Sequence, residues 1–165
     1  MPLGGVLEFP ADPVRLAAVL WIADNPPPEK AMINHHAALI YTMVLMSAAD
    51  SEMSDAEMAS IGDMIGHLPV FRDFDRKNIS KTASACVDVL QGKDGLNKLL
   101  KEIKAGLPVK LRETAYALAC DVAAADGKVT QEEARLLELI RDSLEIGRLP
   151  AAAIERGARA RHLTV

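Results

Sequence analysis

The sequence contains few aromatic residues: one Trp, two Tyr and three Phe make up 4% of its 165 positions. Aromatic side chains are favoured in β-strands, so their scarcity counts against a protein built from sheets. The 50% of residues that are hydrophobic are mostly Ala, Leu, Ile, Val and Met. No stretch alternates apolar and polar residues as a half-buried strand does. Composition and pattern together predict an all-α protein.

Cysteine is also scarce, with only Cys86 and Cys120, each in an Ala-rich apolar stretch. Neither has a second Cys or a His at the close spacing of a zinc half-site. We expect both to be buried free thiols, as in proteins of a reducing cytosol.

Positive charge is not in excess, because the formal net charge is −4 at pH 7. Nucleic-acid binding depends largely on neutralising phosphates with Lys and Arg, so this balance argues against a general nucleic-acid binder. Basic residues cluster only near the C-terminus, at Arg156, Arg159, Arg161 and His162. This cluster predicts a solvated helix end or, alternatively, a contact with a phosphate or an acidic partner.

Long hydrophobic runs are missing as well. The longest, residues 37–49, is interrupted by Thr42 and Ser47 and is shorter than the ~20 apolar residues that cross a bilayer. The N-terminus has no basic region ahead of an apolar run, so no signal peptide is indicated. We expect a cytoplasmic protein without a membrane span.

Helix-start and helix-stop residues divide the chain into about seven to eight helices. The expected starts are Asp12–Pro13, Asn34, Ser54, Asp75 or Asn78, Asp94, Pro108, Thr130 and Pro150. The expected ends are near Asp24, Ala49, His67, Gly92, Gly106, Ala125, Ile146 and Arg161. Helices of this number and length predict a compact helical bundle.

The chain also contains an internal duplication. Residues 48–57, AADSEMSDAE, align with residues 124–133, AADGKVTQEE, at an offset of 76. Further on, IGHLP at 65–69 matches IGRLP at 146–150 at an offset of 81, so we expect five extra residues in the second copy's helix. Each copy follows an Ala-rich apolar helix, which predicts a bundle of two pseudo-repeated halves.

The second corner of the repeat resembles the closing half of an EF-hand loop. Asp126, Gly127 and Glu133 fall on loop positions 5, 6 and 12, but positions 1 and 3 fall on Val122 and Ala124. These two side chains have no oxygen, whereas calcium takes six to eight oxygen ligands. A tight EF-hand site is therefore excluded.

Two interpretations of the corners remain open. In the structural one, Gly127 ends a helix in the left-handed conformation, and Thr130 with Glu133 forms a capping box. In the functional one, the corners hold a weakly bound divalent cation, calcium or magnesium, or contact a partner. The candidate metal ligands are Asp50, Glu57, Asp126 and Glu133.

The doubled corners, followed after Leu68-Pro69 by the linker FRDFD at 71–75, resemble the TerB-like family, which is associated with bacterial tellurite resistance. The resemblance runs from Met32 to about Arg161, and Ser51 departs from the family's Gly. It implies a compact all-helical domain, which we place at 32–165. Residues 1–31 lie outside the resemblance, and we expect them to form an N-terminal extension with one short helix. The resemblance also implies a cytoplasmic stress-response role through protein partners and metal ions rather than catalysis.

The hypothesis is therefore a non-enzymatic module that binds protein partners, with no cofactor beyond a weakly held cation. The alternative is a metal-dependent hydrolase that uses the paired carboxylates. The sequence contains no Gly-x-Ser-x-Gly elbow and no Walker or Rossmann glycine pattern.

The positions of two adjacent histidines and of five methionines also lead to predictions. His35 and His36 are adjacent, so they point about 100° apart on a helix and are expected on the surface rather than as one metal site. The methionines fall on helical spacings and predict core positions, or alternatively an adaptable face for a partner helix: Met43, Met46, Met53, Met58 and Met64.

Overall fold

Seven α-helices form the fold over residues 33–49, 55–125 and 127–165, which are the residues that the computed structural model describes. They are α1 (His35–Ser47), α2 (Asp55–His67), α3 (Ile79–Gln91), α4 (Gly95–Gly106), α5 (Arg112–Ala124), α6 (Gln131–Ser143) and α7 (Arg148–Arg161). Short 3₁₀ turns occupy Pro69–Phe71, Arg76–Asn78 and Val109–Leu111. No strand occurs in these ranges, which confirms the all-α prediction.

Helix α1 lies at the centre of the bundle. All ten of its residues from Ala38 to Ser47 are buried, and it packs against α2, α3, α4, α5 and α6. A helix that is apolar on every side has to be enclosed by other helices. Its one fully buried hydroxyl, on Thr42, donates to the Ala38 carbonyl within the helix, so no polar group is left unpaired there.

Helix α5 is the equivalent helix of the second repeat and the main neighbour of α1. It buries seven residues, four of them alanines, and also packs against α6 and α7. Helices α3 and α4 pack against each other and against α1. None of the helices in the described part of the chain is both long and apolar enough to cross a membrane.

Most predicted helix starts agree with the structure, but their capping differs. The Asn34 side chain accepts a hydrogen bond from the Ala37 amide at 2.9 Å, as an N-cap does. Asp94 precedes α4 but does not cap it, because its backbone is left-handed (φ 57°) and its carboxylate accepts from the Asn97 amide group. Pro108 leads into a 3₁₀ turn, and α5 begins only at Arg112.

The five extra residues of the second repeat were predicted to lie in its helix, and this prediction was wrong. Helices α2 and α6 both have 13 residues, so the added residues lie in the turn after α6. The turn is made by Glu145, whose φ of 58° cannot continue a helix. Lys104 and Arg112 hold its carboxylate at 2.8 and 2.7 Å.

His36 was expected on the surface, but it is half-buried. Its Nε2 donates to the Val70 carbonyl at 2.8 Å, and its ring lies 5.7 Å from that of Phe71 and 5.4 Å from that of Phe74. The imidazole therefore fixes the segment after α2 to the start of α1. The sequence could not reveal this contact because the partners lie 34 or more residues away.

The predicted core positions of Met43 and Met46 are confirmed. Met43 and Met46 are fully buried in α1, and Met58 and Met64 of α2 pack against the core. Met53 lies outside the described residues. Cys86 and Cys120 are buried free thiols, also as predicted.

The predicted N-terminal helix, from Asp12–Pro13 to Asp24, also lies outside the described residues. The described residues all belong to the unit from Met32 to Val165. The proposed domain boundary at Met32 stays a prediction.

Gly106 lies close to the backbone at the start of α1. A Cβ at this position would lie 2.6 Å from the Ile33 carbonyl oxygen and 3.1 Å from the Ala38 Cβ. We therefore expect Gly106→Ala to lower the free energy of unfolding by about 1–3 kcal/mol, because the two backbones have to separate.

Gly62 offers a matched control, because a Cβ there meets no atom within 4 Å. Gly62→Ala should raise the free energy of unfolding by about 0.5–1 kcal/mol, since alanine is the better helix former. Urea denaturation of the full chain measures the change in the free energy of unfolding for both variants. Equal effects of the two substitutions would show that the approach at Gly106 is not tight.

Candidate functional site

The second corner of the repeat is held by its own side chains. Gly127 has φ 74°, the left-handed conformation expected of it. The Thr130 Oγ accepts from the Glu133 amide at 3.2 Å, and Glu133 Oε2 accepts from the Thr130 amide at 2.8 Å and from its hydroxyl at 3.1 Å. This is the predicted capping box, so Glu133 has a structural role in starting α6.

Two of the four candidate metal ligands lie within the described residues. Glu57 is half-buried in the first turn of α2, and Glu133 occupies the matching position of α6. Asp50 and Asp126 lie outside the described residues, so the metal hypothesis stays a prediction. Within the described ranges, no three His, Cys, Asp or Glu side chains group together as a metal site would require.

A large cleft lies on the α5, α6 and α7 side of the fold, beside the second corner. Its volume is about 890 Å³, within the usual range of binding pockets. We call this cleft the α5–α7 groove. Four alanines, Ala124, Ala134, Ala152 and Ala158, contribute to its lining. Their small side chains leave room that larger residues would fill.

Tyr116 and Glu155 form the main polar contact within the groove. The Tyr116 hydroxyl donates to Glu155 Oε1 at 2.6 Å. Burial, assisted by this hydrogen bond, raises the pKa of Tyr116 well above its ordinary value. Burial also raises the pKa of the neighbouring Cys120 to about 12. Both groups are therefore neutral near pH 7, and neither provides an activated nucleophile.

The charges along the groove are mainly basic. Arg141, Arg156, Arg159 and His162 line it, against Glu138 and Glu155. Several of these groups already have partners: Glu138 pairs with Arg135 at 2.7 Å, Arg141 with Asp142 at 3.0 Å, and Glu155 accepts from the Tyr116 hydroxyl. Arg156 and Arg159 form no ion pair with a described residue.

Exposed apolar side chains also border the groove. Val129, just before α6, is 50% exposed, and Leu163, just after α7, is 71% exposed. A concave surface that combines basic and apolar groups is suited to binding rather than to acid–base chemistry.

Comparison of the sequence with models of protein families identifies the family of this chain. A family model described as tellurite resistance protein TerB matches residues 36–156, more than half of the chain. The chain belongs to the TerB family. The match includes both corners of the repeat and most of the α5–α7 groove. Comparison with curated proteins and with solved structures gives no significant match.

Sequence reasoning identified the corners of this TerB domain but missed the groove. The basic cluster near the C-terminus indicated part of the groove, because some of its residues line the groove and others do not. Arg161 pairs with Asp121 at 2.6 Å, and its guanidinium lies beside Gly157. Arg156 and Arg159 line the groove. The contact between Tyr116 and Glu155 joins residues 39 positions apart, which no local pattern reveals.

The capping box at the second corner predicts a measurable stability difference. Thr130→Ala should lower the free energy of unfolding by about 1 kcal/mol, because α6 loses the side-chain acceptor for its first amides. Asn78 precedes α3, but its side chain makes no capping hydrogen bond. Asn78→Ala should therefore change the free energy of unfolding by less than about 0.5 kcal/mol. Urea denaturation distinguishes the two, and an equal loss would contradict the capping role.

Proposed function

We propose that this TerB domain is a non-enzymatic, partner-binding module of a bacterial tellurite- or stress-resistance system that acts in the cytoplasm. The match to the TerB family over residues 36–156 is the observation that carries the proposal. The α5–α7 groove supports it, because the groove is accessible, partly apolar and lined by basic side chains.

The alternative, a metal-dependent hydrolase, is less well supported. Its general base would have to come from the carboxylates at the helix starts. Glu133 Oε2 already accepts two hydrogen bonds from Thr130, and it would have to give them up to take a proton from water. In the groove, Tyr116 and Cys120 are both neutral near pH 7.

The proposal predicts a specific protein partner. The tagged full chain, recovered from its native cells after tellurite exposure, should carry a partner that a tagged control helical protein does not. Deleting the gene should lower tellurite tolerance, and the full chain should restore it. Unchanged tolerance together with an absence of enriched partner would reject the module hypothesis. Metal-dependent ester hydrolysis by the pure chain, lost in Glu133→Gln, would favour the hydrolase.

We further propose that the corners hold a divalent cation weakly, through Asp50 with Glu57 and Asp126 with Glu133. Glu57 and Glu133 are carboxylates in the first turns of α2 and α6, and Glu133 Oε1 takes no part in the capping box. Each corner offers only about two carboxylates, far fewer oxygens than calcium prefers.

Calorimetry with calcium and magnesium should therefore give a Kd of about 10⁻⁴ M or weaker. Glu133→Gln should weaken this binding further while keeping α6 intact, since Gln also completes a capping box. Glu132→Gln is the control, because Glu132 is the exposed neighbour outside the proposed site. Submicromolar calcium binding, or equal losses in both variants, would contradict the assignment.

A further inference from the structure

We infer that the α5–α7 groove is the docking site for an acidic, amphipathic segment of a partner protein. The inference rests on the proposed partner-binding function and names the surface and the chemistry of the partner. It does not depend on the corners binding a cation.

The shape of the groove suits an elongated segment. Helices α6 and α7 both pack against α5, and the cleft is lined by residues of all three helices. Five of its lining residues follow one another along α7, from Ala152 to Arg159. Helix α7 alone has 14 residues and is about 21 Å long. A groove along such a helix can take a short partner helix, as in other helix-in-groove complexes.

The available charge in the groove is positive. Arg156 and Arg159 form no ion pair with any described residue. Of the two acids that line the groove, Glu138 pairs with Arg135, and Glu155 accepts from the Tyr116 hydroxyl without forming an ion pair with either arginine. A partner with carboxylates facing α7 would supply the missing counter-charges.

The exposed apolar side chains of the groove require that the partner also has apolar side chains. Val129 and Leu163 line the groove, although each exposes half or more of its surface to water. Covering them gives a hydrophobic gain that a small inorganic anion could not provide. An acidic segment with one apolar face satisfies both requirements.

A phage-displayed library of random 16-residue peptides provides the probe. Panning on the full chain should enrich peptides of net negative charge whose apolar residues recur three or four positions apart. Enriched peptides are then synthesised with a fluorescent label, and their affinity is measured by polarisation. Competitive panning against an unrelated helical protein removes non-specific binders.

Paired charge reversals test the basic side of the groove. Arg156→Glu with Arg159→Glu should weaken peptide binding by about tenfold or more. The control is Lys98→Glu with Lys101→Glu, which has the same spacing and the same charge change on the exposed face of α4. This control should leave the affinity within about twofold.

A second pair of variants tests the shape without changing charge. Ala152 and Ala153 are adjacent and both exposed on α7, but only Ala152 lines the groove. Ala152→Trp should therefore block peptide binding, and Ala153→Trp should not. Circular dichroism confirms that each variant is folded before its affinity is compared.

The outcomes separate this inference from the proposed function. Enrichment of neutral or basic peptides, no enrichment above the unrelated protein, or equal binding by groove and control variants would overturn the groove assignment. Self-association of the chain that is lost in Ala152→Trp would also overturn it, because a second copy would then be the occupant. If the cellular partner is still captured by Ala152→Trp, only the groove assignment fails.

Discussion

The fold depends on enclosing α1, a helix without a polar face. Ten consecutive buried residues require neighbours on every side, and five other helices provide them. Because hydrophobic burial is the dominant favourable contribution to folding, this requirement sets the arrangement of the bundle. The second Ala-rich helix, α5, is its main neighbour, so the two repeats meet through their first helices.

The same arrangement explains where a binding surface can form. Helix α1 is covered from all directions, whereas α5 has α6 and α7 on its other side. The small residues along α5, α6 and α7 leave the space between these helices open. The second repeat carries the groove, and its longer turn after α6 is held by the ion pairs of Glu145.

The sequence predicted the parts of this structure that depend on local chemistry. Helix existence, the capping box of Thr130 and Glu133, and the left-handed Gly127 follow from residues that are close along the chain. The length of α6 was mispredicted because Glu145 adopts a left-handed backbone that only tertiary partners stabilise. The groove was missed for the same reason, since its residues converge from three helices.

The burial of the two cysteines has a consequence for redox chemistry. Cys86 and Cys120 are the only thiols of the chain, and burial raises the pKa of each to about 12. Oxidation and metal capture proceed through an accessible thiolate, which neither residue provides. Near pH 7 both thiols of the folded domain are therefore protonated and react slowly with an oxidant.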